Sequence, residues 1–218
     1  MKFQIRREIP FWILILSPIL YLIFSWKIMP DRIPMHYNIY GEPDRWGGKN
    51  DLMSIMIIIP ILTYLMFLAA IYIDPKKRIS EMGNKYHHLR FIMTVIIAMI
   101  FILIVYINVH SISNFKNYIS IILGLLFILL GNYFRSLKPN YFIGIRTPWT
   151  LESETVWRRT HHIGSIIWFI GGFLIILVNI ISRLQPIAWI ISLGIILLLI
   201  LIPVIHSYSI YKKLQPKS

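Results

Sequence analysis

Residues 131–164 read GNYFRSLKPNYFIGIRTPWTLESETVWRRTHHIG, and the chain is organised around them. This is the longest polar interval between apolar segments, and it concentrates turn formers, aromatics and cations. Lys138-Pro139-Asn140 and Arg146-Thr147-Pro148 predict turns or extended chain, because proline fixes its own φ and pushes the preceding residue out of the helical region. Between them, Tyr141 to Ile145 is too apolar for a plain linker. It predicts a loop packed on the membrane or on its own helices. Thr150 is then predicted as a helix N-cap, followed by Leu151, Glu152, Ser153 and Glu154, with the acids in the first turn where the helix dipole favours them. The helix is expected to run unbroken from there to the next loop.

Outward from this interval the chain is a series of long apolar runs. Spans are predicted at about Ile9 to Met29, Leu52 to Ile73, Phe91 to Val109, Tyr118 to Phe134, Gly164 to Ile181 and Ile187 to Tyr208. Each approaches the roughly 20 residues a bilayer crossing needs. Hydrophobic residues make up 57% of the 218, above the ~45–50% of soluble domains. The fold class that follows is all-α: a polytopic membrane protein, a six-transmembrane-helix bundle with an outer loop at 28–51 and a cytoplasmic loop at 135–163. Lys2, Arg6 and Arg7 ahead of the first run imitate a signal peptide, but the run is full length and no small-residue cleavage site follows. It is taken as an uncleaved span. Pro18 should bend it and free a carbonyl that Ser17 is placed to satisfy. Residues 151–181 would make a helix of roughly 46 Å, longer than a hydrocarbon core of about 30 Å, so the fifth helix is expected to project beyond the bilayer.

The net charge of +13 would suggest nucleic acid in a soluble chain. Here the cations sit between spans, where they set orientation and meet lipid head groups. With the N-terminus inside, sixteen of the 22 Lys and Arg fall on inner segments, Arg90 among them. The positive-inside rule then places both termini and the 135–163 loop in the cytoplasm and the His36 to Trp46 segment outside. Trp12, Trp26, Trp149, Trp168 and Trp189 fall near span ends, as interfacial belts do. No cysteine is present, which excludes disulfides and thiol chemistry.

Chemistry-bearing residues are few. Glu154 and Arg158, and Trp157 and His161, stand at i,i+4 on adjacent helix faces. His161-His162 and His87-His88 are adjacent pairs, which point about 100° apart on a helix and do not converge on one ion as i,i+4 pairs do. On the outer side His36, Glu42 and Asp44 offer a small ligand set, or simply a compact loop among the turn signals of Gly41 to Gly48. Trp46 there is either a stacking surface or an interface anchor. Arg146, beside Thr147 and Trp149, is suited to a lipid phosphate or a carboxylate, or to a pair with Glu152 or Glu154. Lys138 and Asn140 would define the turn beside Tyr141. There is no nucleophile-elbow motif. The membrane core contains no Asp, Glu, Lys or Arg on these boundaries, which argues against a proton relay. Asn108, Asn132, Asn179 and His206 are read as helix glue or caps, and Gly124, Gly131, Gly164, Gly171 and Gly172 as rows for close helix packing.

The run KPNYFIGIRTPWTL from Lys138 to Leu151, with Gly131-Asn132 before it and Trp157, Thr160 and His161 after it, closely resembles the signature of the SdpI family of bacterial membrane proteins. Phe134-Arg135 departs from the family, whose members often carry a proline there. Upstream, Pro30 to Pro34, His36, Asn38 and Gly41 to Gly47 resemble the small domain of unknown function that often precedes the SdpI region. The resemblance implies an N-terminal domain at 1–75, a cytoplasmic loop at 76–90 and an SdpI-like region at 91–218. It also implies a non-enzymatic protein of the bacterial plasma membrane, without metal or cofactor, that protects against a secreted toxin peptide and holds a cytosolic transcriptional repressor at the membrane. Its partners would be the lipid bilayer, the toxin and the repressor, with no direct nucleic acid. The contact residues would be Lys138, Asn140, Tyr141, Arg146, Thr147, Trp149, Trp157, Arg158 and His161 inside, and His36, Asp44 and Trp46 outside. Two other classes stay open: a carrier or channel for a small envelope component or lipid, with Arg146 at its inner mouth, and an intramembrane enzyme acting on lipid or peptide and using Glu152, Glu154, His161 and His162.

Overall fold

Six apolar runs without interior breakers other than proline become six helices long and apolar enough to cross a membrane. The computed structural model describes residues 4–112, 114–181 and 185–215. In chain order the elements are α1 (Ile5–Phe24), β1 (Ile33–Tyr37), β2 (Pro43–Gly47), α2 (Lys49–Ile73), α3 (Arg78–Glu81), α4 (Asn84–Val109), α5 (Phe115–Phe134), α6 (Pro148–Glu152), α7 (Glu154–Ile180) and α8 (Gln185–Leu214). Of the cations used for orientation, Lys2, Arg183 and Lys217 lie outside the described residues.

Alternation of the six long helices gives the bundle two ends. One carries the β-hairpin; the other carries α3, α6 and the loop before α7. α1 packs on α4 and α2, α4 on α5, and α7 lies between α5 and α8. Large apolar side chains on the outer faces, such as Ile58, Phe173 and Ile205, are exposed, as surfaces turned to lipid should be. Because lipid is as apolar as these side chains, close packing and polar links must hold the helices together. The glycine rows serve that purpose. A Cβ on Gly124 would stand 2.8 Å from the Gly172 carbonyl oxygen, and one on Gly131 would stand 2.7 Å from the Phe169 nitrogen. Asn179 of α7 donates to Ser192 Oγ of α8 at 2.8 Å. Ser17 Oγ donates to the Leu14 carbonyl that Pro18 frees, at 3.0 Å.

Several boundaries differ from the sequence reading. α1 begins at Ile5 and α4 at Asn84, so Glu8 and Arg90 are helical and buried, at 3% and 1% exposure. The bundle therefore does contain charge. The fifth long helix is not continuous from Thr150, because Ser153 is extended and breaks α6 from α7. Nor is Thr150 the N-cap. Thr147 caps α6, with Pro148 at the first helical position, where its missing N–H costs nothing; Ser153 caps α7 by accepting from the Val156 N–H. α7 still has 27 residues, about 40 Å at ~1.5 Å each. Trp168 lies well inside α7, against Phe134 with ring centroids 4.2 Å apart, and donates to the Leu199 carbonyl of α8 at 2.8 Å.

The loop between α1 and α2 holds a two-stranded antiparallel hairpin with irregular register, pairing Ile33 with Gly47 and Tyr37 with Pro43. Asn38 turns it, its Oδ1 accepting from the Tyr40 and Glu42 N–H groups at 2.9 and 3.0 Å. Gly41, at φ +74, supplies the left-handed residue. Tyr37 stacks on Phe115 at 4.3 Å, and burial pushes its hydroxyl pKa up.

Candidate functional site

Residues 135–153 fold back on the first turns of α7. The centre is Trp157, fully buried, whose ring stacks on His161 with centroids 4.1 Å apart. The i,i+4 spacing read from the sequence makes that stack. Trp157 Nε1 donates to the Leu137 carbonyl at 2.8 Å. His161 Nδ1 lies 2.9 Å from the Trp157 carbonyl oxygen, and Nε2 accepts the Ile145 N–H at 3.0 Å. A carbonyl on one nitrogen and an N–H on the other select the Nδ1–H tautomer. His161 is thus a fastener for the loop backbone. Gly144 lies over the pair at φ +111, where a Cβ would collide with His161 Nε2.

Asn140 organises the turn. Its Oδ1 accepts from the Phe142 and Ile143 N–H groups, both at 2.8 Å, and its Nδ2 donates to the Lys138 and Ile143 carbonyls at 2.8 and 3.1 Å. Thr147 and Thr150 close the other side: Thr150 Oγ1 accepts from the Thr147 N–H at 2.8 Å and donates to the Ile145 carbonyl at 3.0 Å. Arg146 is exposed and donates to the Tyr141 carbonyl at 2.6 Å, so it ties the loop across its own mouth. Neither Glu152 nor Glu154 is its partner; Glu154 pairs with Arg158 at 2.8 Å. Lys138 reaches Glu81 of α3 at 2.9 Å, and this bond, before any other cause, holds the Glu81 carboxyl below its ordinary range. Trp149 donates from Nε1 to Ser207 Oγ of α8 and lies against Tyr208. Lys76 sits 5.2 Å over the Tyr141 ring.

Two clefts border this loop. One, of about 230 Å³, is apolar and lined by Phe67, Met93, Tyr133, Phe142 and Trp168 among others. The other, of about 510 Å³, is lined by Arg78, Arg135, Lys138, Glu154, Arg158 and His162, with the loop backbone and His161 behind them.

At the opposite end His36 Nδ1 and Asp44 Oδ1 lie 2.6 Å apart across the hairpin, both partly exposed. Arg32 stands 5.1 Å over the Trp46 ring. Glu42 turns to Asn38 instead of joining His36 and Asp44. Among the described residues no three His, Asp or Glu side chains gather as a metal site. A cleft of about 340 Å³ lies under the hairpin, lined by Arg32, Tyr37, Trp46, Ile107 and Phe115 among others.

One polar cluster escaped the sequence reading. Arg90 bonds Glu8 through both guanidinium ends, and Tyr64 of α2 donates to Glu8 Oε2 at 2.8 Å. The signal was phase. Glu8, Phe11, Ile15, Pro18 and Leu22 form one buried stripe on α1, and Glu8 continues it by one turn.

Six long apolar helices with polar assemblies at both ends define a polytopic membrane protein. Residues 136–207 match the model of the SdpI/YfhL protein family, and residues 13–63 match that of the domain of unknown function DUF1648. The chain carries an SdpI-family region behind a DUF1648 domain, in the order its motifs implied. It is 25% identical over 193 residues to the immunity protein SdpI of Bacillus subtilis (strain 168), a match covering 88% of this chain and 90% of that one. No solved structure matches the chain.

Proposed function

We propose that the chain is an immunity and signalling protein of the bacterial plasma membrane. It would protect its host against a secreted antimicrobial peptide and, when occupied, hold a cytosolic repressor at the membrane. Likeness to an immunity protein along nearly the whole length carries this reading. The geometry supports a division of labour between the two ends. The hairpin and the cleft beneath it, with His36, Asp44 and Trp46 on the strands, are the surface for the peptide. The loop is the surface for the repressor, with Tyr141, Arg146 and Trp149 at its rim.

His161, Trp157, Asn140 and Thr147 act differently in this proposal from what their residue types suggest. They are spent on the backbone of the loop, so they shape the partner surface without touching a partner. Arg146 lines neither loop-side cleft, which favours a recognition rim over the inner mouth of a carrier.

The test is expression in a strain sensitive to the toxin that the relative's host secretes. Protection is expected, together with induction of a repressor-controlled reporter. Unchanged killing would remove immunity from the proposal, and an unchanged reporter would remove repressor capture. Trp149→Ala and Arg146→Ala are expected to silence the reporter while leaving protection in place.

A further inference from the structure

The cationic cleft beside the loop does not end at the bundle surface. Arg135, the residue after α5, also lines a second cavity of about 330 Å³ between α5 and α7. Gly131, Asn132, Ser165, Phe169 and Ile170 line it with Arg135. Arg135 lines both cavities. Below it lies an apolar groove along helix faces turned to lipid; above it lies a cleft rimmed by Arg78, Lys138 and Arg158 as well as Arg135.

We infer that this pair of cavities is a binding site for one anionic phospholipid. The phosphate sits against Arg135, with Arg158 and Lys138 beside it, and an acyl chain lies along Phe169 and Ile170. Asn132, at the polar seam of the groove, faces the depth of the glycerol esters. Charge supports an anion. Lys138 and Arg78 share Glu81, Arg158 has Glu154, and the Arg135 side chain has no hydrogen-bond or ion-pair partner among the described residues. Four cations thus face two carboxylates. The Arg158–Glu154 pair is exposed, so little holds Arg158 away from a phosphate. The shape supports a lipid over a free phosphate, because a headgroup alone would leave the apolar groove empty. Each cavity falls within the ~300–1,000 Å³ of small-ligand sites. The glycines that let α5 and α7 approach closely also give the groove its floor, since Gly131 has no side chain to fill it. This inference does not rest on the immunity reading.

The test is native mass spectrometry of the full chain released from nanodiscs, with dioleoylphosphatidylglycerol or dioleoylphosphatidylcholine as probe. One retained phosphatidylglycerol per chain is expected, preferred several-fold over phosphatidylcholine. Arg135→Gln should weaken retention roughly fivefold, the share expected of one cation at an anionic surface, and Arg45→Gln at the hairpin end should not. Equal retention of the two lipids would overturn the inference. So would full competition by glycerophosphoglycerol or inorganic phosphate, which would leave an anion pocket without a lipid. A lipid-free dimer would place a second copy in the groove instead. If Arg135→Gln does not fold, the lipid preference and the competition still decide using the unaltered protein.

Discussion

Arg90 of α4 donates from Nη2 to Oε2 of Glu8 in α1 at 2.7 Å, and the two side chains are 1% and 5% exposed. They lie 82 residues apart in sequence, so the pair staples two helices that nothing local connects. The guanidinium also lies over the rings of Phe11 and Tyr64 at 4.7 and 5.3 Å. Breaking a buried pair from one side leaves an uncompensated charge, a loss of about 3–5 kcal/mol. Glu8→Ala or Arg90→Ala should therefore lower thermal stability in detergent sharply. The double replacement Glu8→Leu with Arg90→Met should recover most of it. Additive losses in the double variant would contradict the pairing.

Gly144 has neither the space nor the φ for a side chain. Gly144→Ala forces a Cβ onto His161 Nε2 at +111°, and an off-region backbone alone costs on the order of 1–3 kcal/mol. The expected outcome is a loop that leaves α7, read as a red shift and loss of near-ultraviolet circular dichroism from Trp157. Gly194→Ala, where nothing lies within 4 Å, should leave both signals unchanged.

Asn140 satisfies four backbone groups at once. Asn140→Ala removes all four bonds, and buried groups left unpaired cost about 1–3 kcal/mol. Opening of the loop should become roughly ten- to a hundredfold more frequent, at ~1.4 kcal/mol per tenfold. Tryptic cleavage after Arg146 reports it. Cleavage no faster than in the unaltered protein would show that the turn stands without Asn140.

The Glu81 link to Lys138 should depend on pH in one direction. Its carboxyl is held below the ordinary range when folded, chiefly by the bond from Lys138. The link is therefore complete above the ordinary carboxylate range and is lost as pH falls through the lowered value. Hydrogen exchange in residues 78–82 should rise only on that acid side, and Glu81→Gln should show the same rise at neutral pH. A rise on the alkaline side of neutrality would invert the assignment.

The six spans were legible because apolar length is read directly from composition, and the pairs Glu154–Arg158 and Trp157–His161 because helical spacing alone brings them together. The glycine rows were legible for the same reason. Glu8 and Arg90 were not, since each looks like a flanking charge until α1 and α4 are set side by side. The hairpin was hidden because Pro34, Pro43 and a run of charges mask any strand alternation. The break at Ser153 was hidden because hydroxyls and acids suit the start of α6 and of α7 equally. For the candidate site, residue type and spacing did not disclose orientation: Asn140 and His161 turn inward to the backbone, and Arg146 spans the loop instead of reaching an acid.

The hairpin tip is gripped by the far half of the chain. Lys116 Nζ donates to the Tyr40 carbonyl at 3.3 Å, and Trp189 Nε1 donates to the Ile39 carbonyl at 2.8 Å. Whatever tugs on Ile39 and Tyr40 pulls directly on α5 and α8, the two helices that end beside Arg135 and Trp149. The molecule is thereby strung like a bell rope, with the handle on one face of the bilayer and the clapper on the other.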